Sequence, residues 1–276
     1  MYKRVLLALD LEGVNNVVGE PYMGLSKDTE QWEIARRQAA LEVNAAADAL
    51  FSAGVEKVGL WDNHGARRNL DPADLDPRIL LLSEELCALP RLSFLAGEYD
   101  CVCFFGYHAM EGTLGGVLAH TMNSKIVQFY KINGRYVGEV DIDAYITASH
   151  GLPCRFFAGG DVACRQASRS IPHLVTVVTK TELGRNRAIF RSNEELLSEI
   201  GREIVKAVSA EGEVRTLAFP ATLEKSFKRV EDAEIYLQRL KSYDIDADYP
   251  DDEILGKDGH TVVARLRNAQ DLVKCF

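Results

Sequence analysis

The run Val5-Leu6-Leu7-Ala8-Leu9 is apolar at every position and ends in Asp10-Leu11-Glu12-Gly13. A strand that is apolar on both faces must be covered on both faces, which places it inside a parallel sheet flanked by helices. The same design recurs down the chain. Apolar runs at 55–61, 78–83, 100–108, 154–161 and 174–180 alternate with helical stretches, clearest at 28–53, where Trp32, Ala35, Ala39, Val43, Ala46 and Leu50 fall at helical spacing. Asn133-Gly134, set between β-prone runs in 125–139, marks a hairpin, and a helix follows over 139–150. The expected fold class is α/β, a mainly parallel sheet flanked by helices, with an α+β subdomain at the C-terminal end. The expected division is an α/β domain over 1–190 and an α/β subdomain over 191–276, the two forming part of one compact unit. Helices are expected there at 192–210, 229–240 and 261–273, with an acidic loop at 244–253.

Composition excludes more than it suggests. A net charge of −9 over 276 residues lacks the basic footprint of a nucleic-acid binder. No apolar run approaches the length of a membrane span, and the short N-terminal run leads straight into acids rather than to a cleavage site. The six cysteines form no CxxC pair, so a reduced, cytoplasmic protein without a zinc ribbon is expected.

The polar residues at the strand ends carry the chemistry. The first run ends in Asp10 and Glu12, the second in Asp62 and His64, and the fourth in His108. Ligands in open α/β sheets bind outside the carboxyl ends of the strands. Asp10 and Glu12 are two apart and point the same way in extended chain. Two adjacent carboxylates resist ionising together unless a cation lies between them. Carboxylates mixed with imidazoles suit zinc, manganese or iron better than calcium or magnesium. Glu139, where a strand meets a helix, and His120, in the loop after His108, are further candidates. Four of them have an ordinary reading when taken singly: a cap for Asp10, a turn for His64, a core hydrogen bond for His108, a first-turn charge for Glu139. Lys180 and Arg185 in TKTELGRNR read as solvated loop charges, with a substrate carboxylate as the rival reading. There is no Walker A loop, no G-x-S-x-G elbow and no H-E-x-x-H.

Taken in order, LDLEGV, DNHG, GYHA, AHTM and VGE resemble the zinc D-aminopeptidase family, the DppA-like dipeptide-operon enzymes. The likeness runs to about residue 190 and continues more loosely beyond. It implies two zinc ions per subunit, with Asp10, Glu12, His64, His108 and Glu139 as ligands and Asp10 bridging both metals. It implies that His120 is the catalytic residue, as general acid/base or stabiliser of the tetrahedral intermediate. The implied reaction is removal of an N-terminal residue, such as D-Ala, from a short peptide substrate. The implied assembly is a ring-like homo-oligomer such as a decamer. Two departures stand out. Ala8 replaces the family's serine, and the interval from His108 to His120 is one residue longer than the family's pattern. Another dinuclear metallohydrolase (an amidase or phosphoesterase) and a non-catalytic peptide- or metal-binding homologue remain the rival readings.

Overall fold

The computed structural model describes residues 1–65, 67–82, 90–95 and 97–276. Six strands form one parallel sheet: β1 (Arg4–Leu9), β2 (Lys57–Asp62), β3 (Leu80–Leu81), β4 (Cys101–Tyr107), β7 (Cys154–Gly159) and β8 (Val175–Val178), in the order β3-β2-β1-β4-β7-β8. The chain winds outward from β1 in one direction through β2 and β3, then crosses back to β4 and continues the other way. The order therefore reverses between β1 and β4. A crevice opens at such a reversal, beyond the carboxyl ends of the two strands, because the connections leave toward opposite faces.

The sheet is buried on both sides. Leu6 and Ala8 enter one hydrophobic cluster, while Val5, Leu7 and Leu9 enter the other. This is the period-two alternation of a central strand. The long helix α1 (Glu30–Ser52) packs on the second face through Ala35, Ala39, Val43, Ala46 and Leu50. Thr29 starts it by accepting from Trp32 N at 3.2 Å. On the other face lies α2 (Glu139–Ser149), nine of whose eleven residues are buried. Next along the chain come α3 (Asp161–Ser170), which borders the sheet's edge, and α4 (Asn193–Ser209), which packs with α1.

A second, antiparallel sheet is built from β5 (Val127–Ile132), β6 (Arg135–Tyr136), β11 (Ala221–Phe227), β12 (Asp246–Asp248) and β15 (Thr261–Leu266), in the order β12-β15-β11-β5-β6. Asn133 and Gly134 turn the β5–β6 hairpin with φ of 50° and 76°, the left-handed pair that an Asn-Gly turn supplies. Since β5 pairs with β11, this sheet joins residues from both sides of position 190. Two smaller ribbons, β9–β10 (Lys180–Gly184 with Arg187–Phe190) and β13–β14 (Asp251–Asp252 with Gly256–Lys257), stand apart from both sheets.

The structure corrects the end of the chain. Past helix α5 (Val230–Ser242), the expected helix over 261–273 is strand β15 followed by the short helix α6 (Ala269–Lys274). Val262, Ala264 and Leu266 alternate inward while β15 pairs with β11, so tertiary pairing overrides the apparent helical spacing. The expected strand at 78–83 is confined to Leu80–Leu81, and Ser83, like Cys87, lies outside the described residues.

Candidate metal centre

Asp10 and Glu12 follow β1, His64 follows β2 and His108 follows β4. All four thus sit at the carboxyl ends of adjacent strands, at the reversal. Two glycines bring the β1 and β4 ends together. A Cβ on Gly106, whose φ is +68°, would lie 1.9 Å from the Asp10 carbonyl oxygen, and one on Gly13 would lie 2.2 Å from that of Tyr107. With no side chain in the way, Asp10 N donates to Phe105 O at 2.8 Å and Gly13 N to Gly106 O at 2.6 Å. The glycines of DLEG and GYH are therefore requirements of close backbone approach.

The side chains form overlapping groups whose ligand atoms lie within 4.8 Å of one another: Asp10, Glu12 and His64; Asp10, His108 and Glu139; Glu12, His108 and His120. Asp10 is shared by the first two. Its Oδ1 is 3.0 Å from His64 Nδ1 and its Oδ2 is 3.5 Å from His108 Nε2. Glu12 Oε2 also faces His64 Nδ1, at 3.1 Å. Glu139 is the first residue of α2, and its Oε1 accepts from Met122 N at 2.6 Å while facing His108 Nε2 at 3.3 Å.

The atom that best reports the site's charge is His108 Nε2. Its ring faces the Ala109 carbonyl oxygen through Nδ1 at 2.9 Å, which puts the proton of a neutral ring on Nδ1 and a lone pair on Nε2. Nε2 is buried without a hydrogen-bond partner, and its nearest polar neighbours are the carboxylate oxygens of Asp10 and Glu139. A lone pair aimed at anionic oxygens is stable only around a positive charge, either a proton on the ring or a metal ion. Burial disfavours charge on His108 and His64, but the neighbouring carboxylates outweigh it and hold both pKa values well above the ordinary imidazole value. Reciprocally, burial would raise Asp10 and Glu139, yet the imidazoles hold both below their usual range. Two imidazoles and three carboxylates at these spacings fit a divalent ion of the zinc type. The second nitrogen of His108 on a backbone carbonyl is the outer support that metal-bound imidazoles normally have.

Asp62 lies outside these groups. Its oxygens accept from Asn69 N at 2.8 Å, from Asn69 Nδ2 at 2.9 Å and from His64 N at 3.3 Å, so it shapes the turn that presents His64. His150, His173 and His260 take no part in any of the groups found among the described residues. Lys180 is not a solvated loop charge. It is wholly buried and donates to the carbonyls of Glu12, Val14 and Val17.

The centre opens into a cleft of about 340 Å³. Its acidic floor contains Asp10, Glu12 and Glu139, and its walls include Leu118, Lys125 and Arg185. Neither Lys125 nor Arg185 forms an ion pair among the described residues.

The sequence pattern of the peptidase M55 family, described as D-aminopeptidase, matches residues 3–246. The chain belongs to the D-aminopeptidase family. Among relatives of this family member, a D-aminopeptidase of Bacillus subtilis (strain 168) is 28% identical over 183 residues, which cover 66% of this chain and 65% of the relative. The fold is similar to that of the "Zn-dependent D-aminopeptidase DppA from Bacillus subtilis, a self-compartmentalizing protease", with a TM-score of 0.83 at 23% identity. That likeness covers 99% of this chain and 94% of the other.

Proposed function

We propose that this family member is a zinc-dependent aminopeptidase that removes an N-terminal D-residue, such as D-Ala, from short peptides. The observation that carries the reading is Asp10, shared between two three-residue ligand groups at the floor of the cleft. In this reading Asp10, Glu12, His64, His108 and Glu139 would hold two zinc ions per subunit, Asp10 being common to both ligand groups. When bound, zinc supplies a Lewis acid and an acidified water at neutral pH.

The chain's own groups supply the rest. Lys125 and Arg185, on the cleft wall, attract the substrate's carboxylate. His120 moves the proton. Its Nδ1 faces the Leu118 carbonyl oxygen at 2.8 Å, which leaves Nε2 to give a proton to the departing amine or to take one. We assign His120 to this role rather than to the metal because five other residues complete the two groups that share Asp10. Its side chain is also the most exposed of the six, at 16%. D-stereochemistry rests on the family's description and on the relatives' names.

Self-association is part of the proposal, since the structural neighbour is described as self-compartmentalizing; a ring such as a decamer is the form expected. We also infer that 1–190 and 191–276 fold as one unit, because β5 and β11 pair across the boundary. A cytoplasmic setting suits the free, buried thiols of the five described cysteines.

The test is hydrolysis of paired D-Ala and L-Ala dipeptides by zinc-loaded protein, with and without chelator. Chelator-sensitive cleavage of the D form supports the reading. Cleavage of the L form alone overturns the stereochemistry and keeps the chemistry. Cleavage of phosphate esters but neither peptide overturns the peptidase reading.

A further inference from the structure

The β9–β10 ribbon lies outside both sheets, yet its first strand reaches the loops that carry the candidate site. Lys180 and Glu182 are two apart on β9, point the same way and are both buried. Lys180 Nζ donates to the backbone oxygens of Glu12 at 2.5 Å, Val14 at 2.8 Å and Val17 at 2.6 Å. An ammonium has three N–H donors, so this lysine spends all of them on one loop. Thr179 adds a fourth tie, its hydroxyl donating to Gly13 O at 2.6 Å. Glu182 grips elsewhere. Its Oε1 accepts from Val117 N at 2.6 Å and its Oε2 from Val162 N at 2.9 Å. At the ribbon's turn, Arg185 O accepts from Leu118 N at 2.9 Å, and Arg185 Nη1 donates to Ala119 O at 3.1 Å. One short strand therefore holds the loop bearing Glu12 and, separately, the segment leading to His120.

We propose that Lys180 and Glu182 are positioning residues with separable effects: Lys180 sets Glu12 for metal binding, and Glu182 sets His120 for turnover. The proposal rests on the metallopeptidase reading above. Its reason is local. A carbonyl pulled by Lys180 belongs to Glu12 itself, so losing the ammonium frees the backbone from which that carboxylate hangs. Among the described residues the Glu182 carboxylate accepts no hydrogen bond from the Asp10–Val17 loop; it accepts three residues before His120.

The experiment titrates metal-free protein with cobalt(II), following its visible absorption, for wild type, Lys180→Met and Glu182→Gln, and pairs this with D-Ala dipeptide kinetics. Lys180→Met is expected to weaken one of two cobalt sites by roughly tenfold or more, the size usual for groups that orient ligands, and to leave the other near wild type. Glu182→Gln keeps one acceptor and turns the other into a donor facing an N–H. It is expected to leave the cobalt titration unchanged and to lower kcat by roughly tenfold with KM little altered. If Lys180→Met fails to fold, Thr179→Val removes one tie to the same loop and should weaken the same site by a smaller factor. Wild-type cobalt binding in a folded Lys180→Met or Thr179→Val protein overturns the role of Lys180. An unchanged kcat in Glu182→Gln overturns that of Glu182. Cobalt binding without peptide cleavage by wild type defeats the peptidase reading while leaving the Lys180 result intact, and a wild type that binds no cobalt defeats both.

Discussion

His108 and His120 lie ring on ring, with centroids 3.9 Å apart and planes 12° from parallel. Each turns Nδ1 to a backbone carbonyl, and each turns Nε2 toward the same oxygen, Glu139 Oε1, at 3.3 Å and 3.7 Å. The two imidazoles thus share one orientation and differ chiefly in depth. His108 is sealed, whereas His120 faces the cleft. That difference suits one to holding an ion and the other to moving a proton.

Replacing His120 by Ala should therefore lower turnover by about 10²–10⁴-fold, the usual worth of a positioned acid or base, with zinc still bound. Steady-state kinetics beside metal analysis decides this. Loss of zinc from the His120→Ala protein would make it a ligand instead.

Asp10→Asn and His108→Ala should each lower zinc content, and activity by about 100-fold or more. Asp10→Asn should have the larger effect on metal content, because Asp10 belongs to both groups assigned to zinc and His108 to one of them. Zinc measured per subunit checks it; full occupancy in Asp10→Asn refutes the sharing.

Metal binding should weaken as pH falls. The carboxylates hold His64 and His108 well above their ordinary pKa, so both rings of the metal-free protein carry protons at neutral pH. An incoming ion must displace them, and about two protons should leave per subunit. Calorimetry in buffers of different ionisation enthalpy measures that release. For the metal-free fold the sign is the same as for any raised imidazole. The stabilisation is complete below pH ~6.5 and is lost as pH rises through the raised folded values.

Glu42 should impose its own pH dependence on stability. It lies fully buried under the Asp10–Val17 loop, accepting from Asn15 N at 2.8 Å and Gln38 Nε2 at 3.0 Å. Burial pushes its pKa up to about 7. The folded state then holds a proton that the unfolded chain has released, so this contribution is complete below pH ~4.5 and lost by about pH 7, on the order of 3 kcal/mol. Glu42→Gln should flatten that fall in denaturant melts between the two pH values; an unchanged slope would show that Glu42 is ionised throughout.

Arg185→Ala should raise KM for free dipeptides several-fold while sparing dipeptide amides, since Arg185 lines the cleft without an acidic partner among the described residues. Comparing the two substrates separates loss of carboxylate binding from loss of the Ala119 contact, which would affect both alike.

Much of this was legible in the chain. The runs ending in Asp10, Glu12, His64 and His108 are local patterns, and a parallel sheet brings strand ends to one edge whatever the details. The glycines of DLEG and GYH were visible too, though their reason was not. That reason is the contact between two strands about a hundred residues apart in sequence, where neither backbone leaves room for a Cβ.

Sequence by itself determined the strand–helix alternation, the order of the motifs and the six polar residues that converge, because burial periodicity and strand-end polarity are written in neighbouring residues. Only the tertiary structure decided that Asp62 shapes a turn and stays out of the ligand groups, that β15 is a strand, and that Lys180 lies inside. Lys180 meets the Glu12 carbonyl across 168 residues of chain. Nothing in the local sequence TVVTKTELG distinguishes a lysine reaching water from one whose three protons are taken by a distant loop, since that choice is made when the loop arrives.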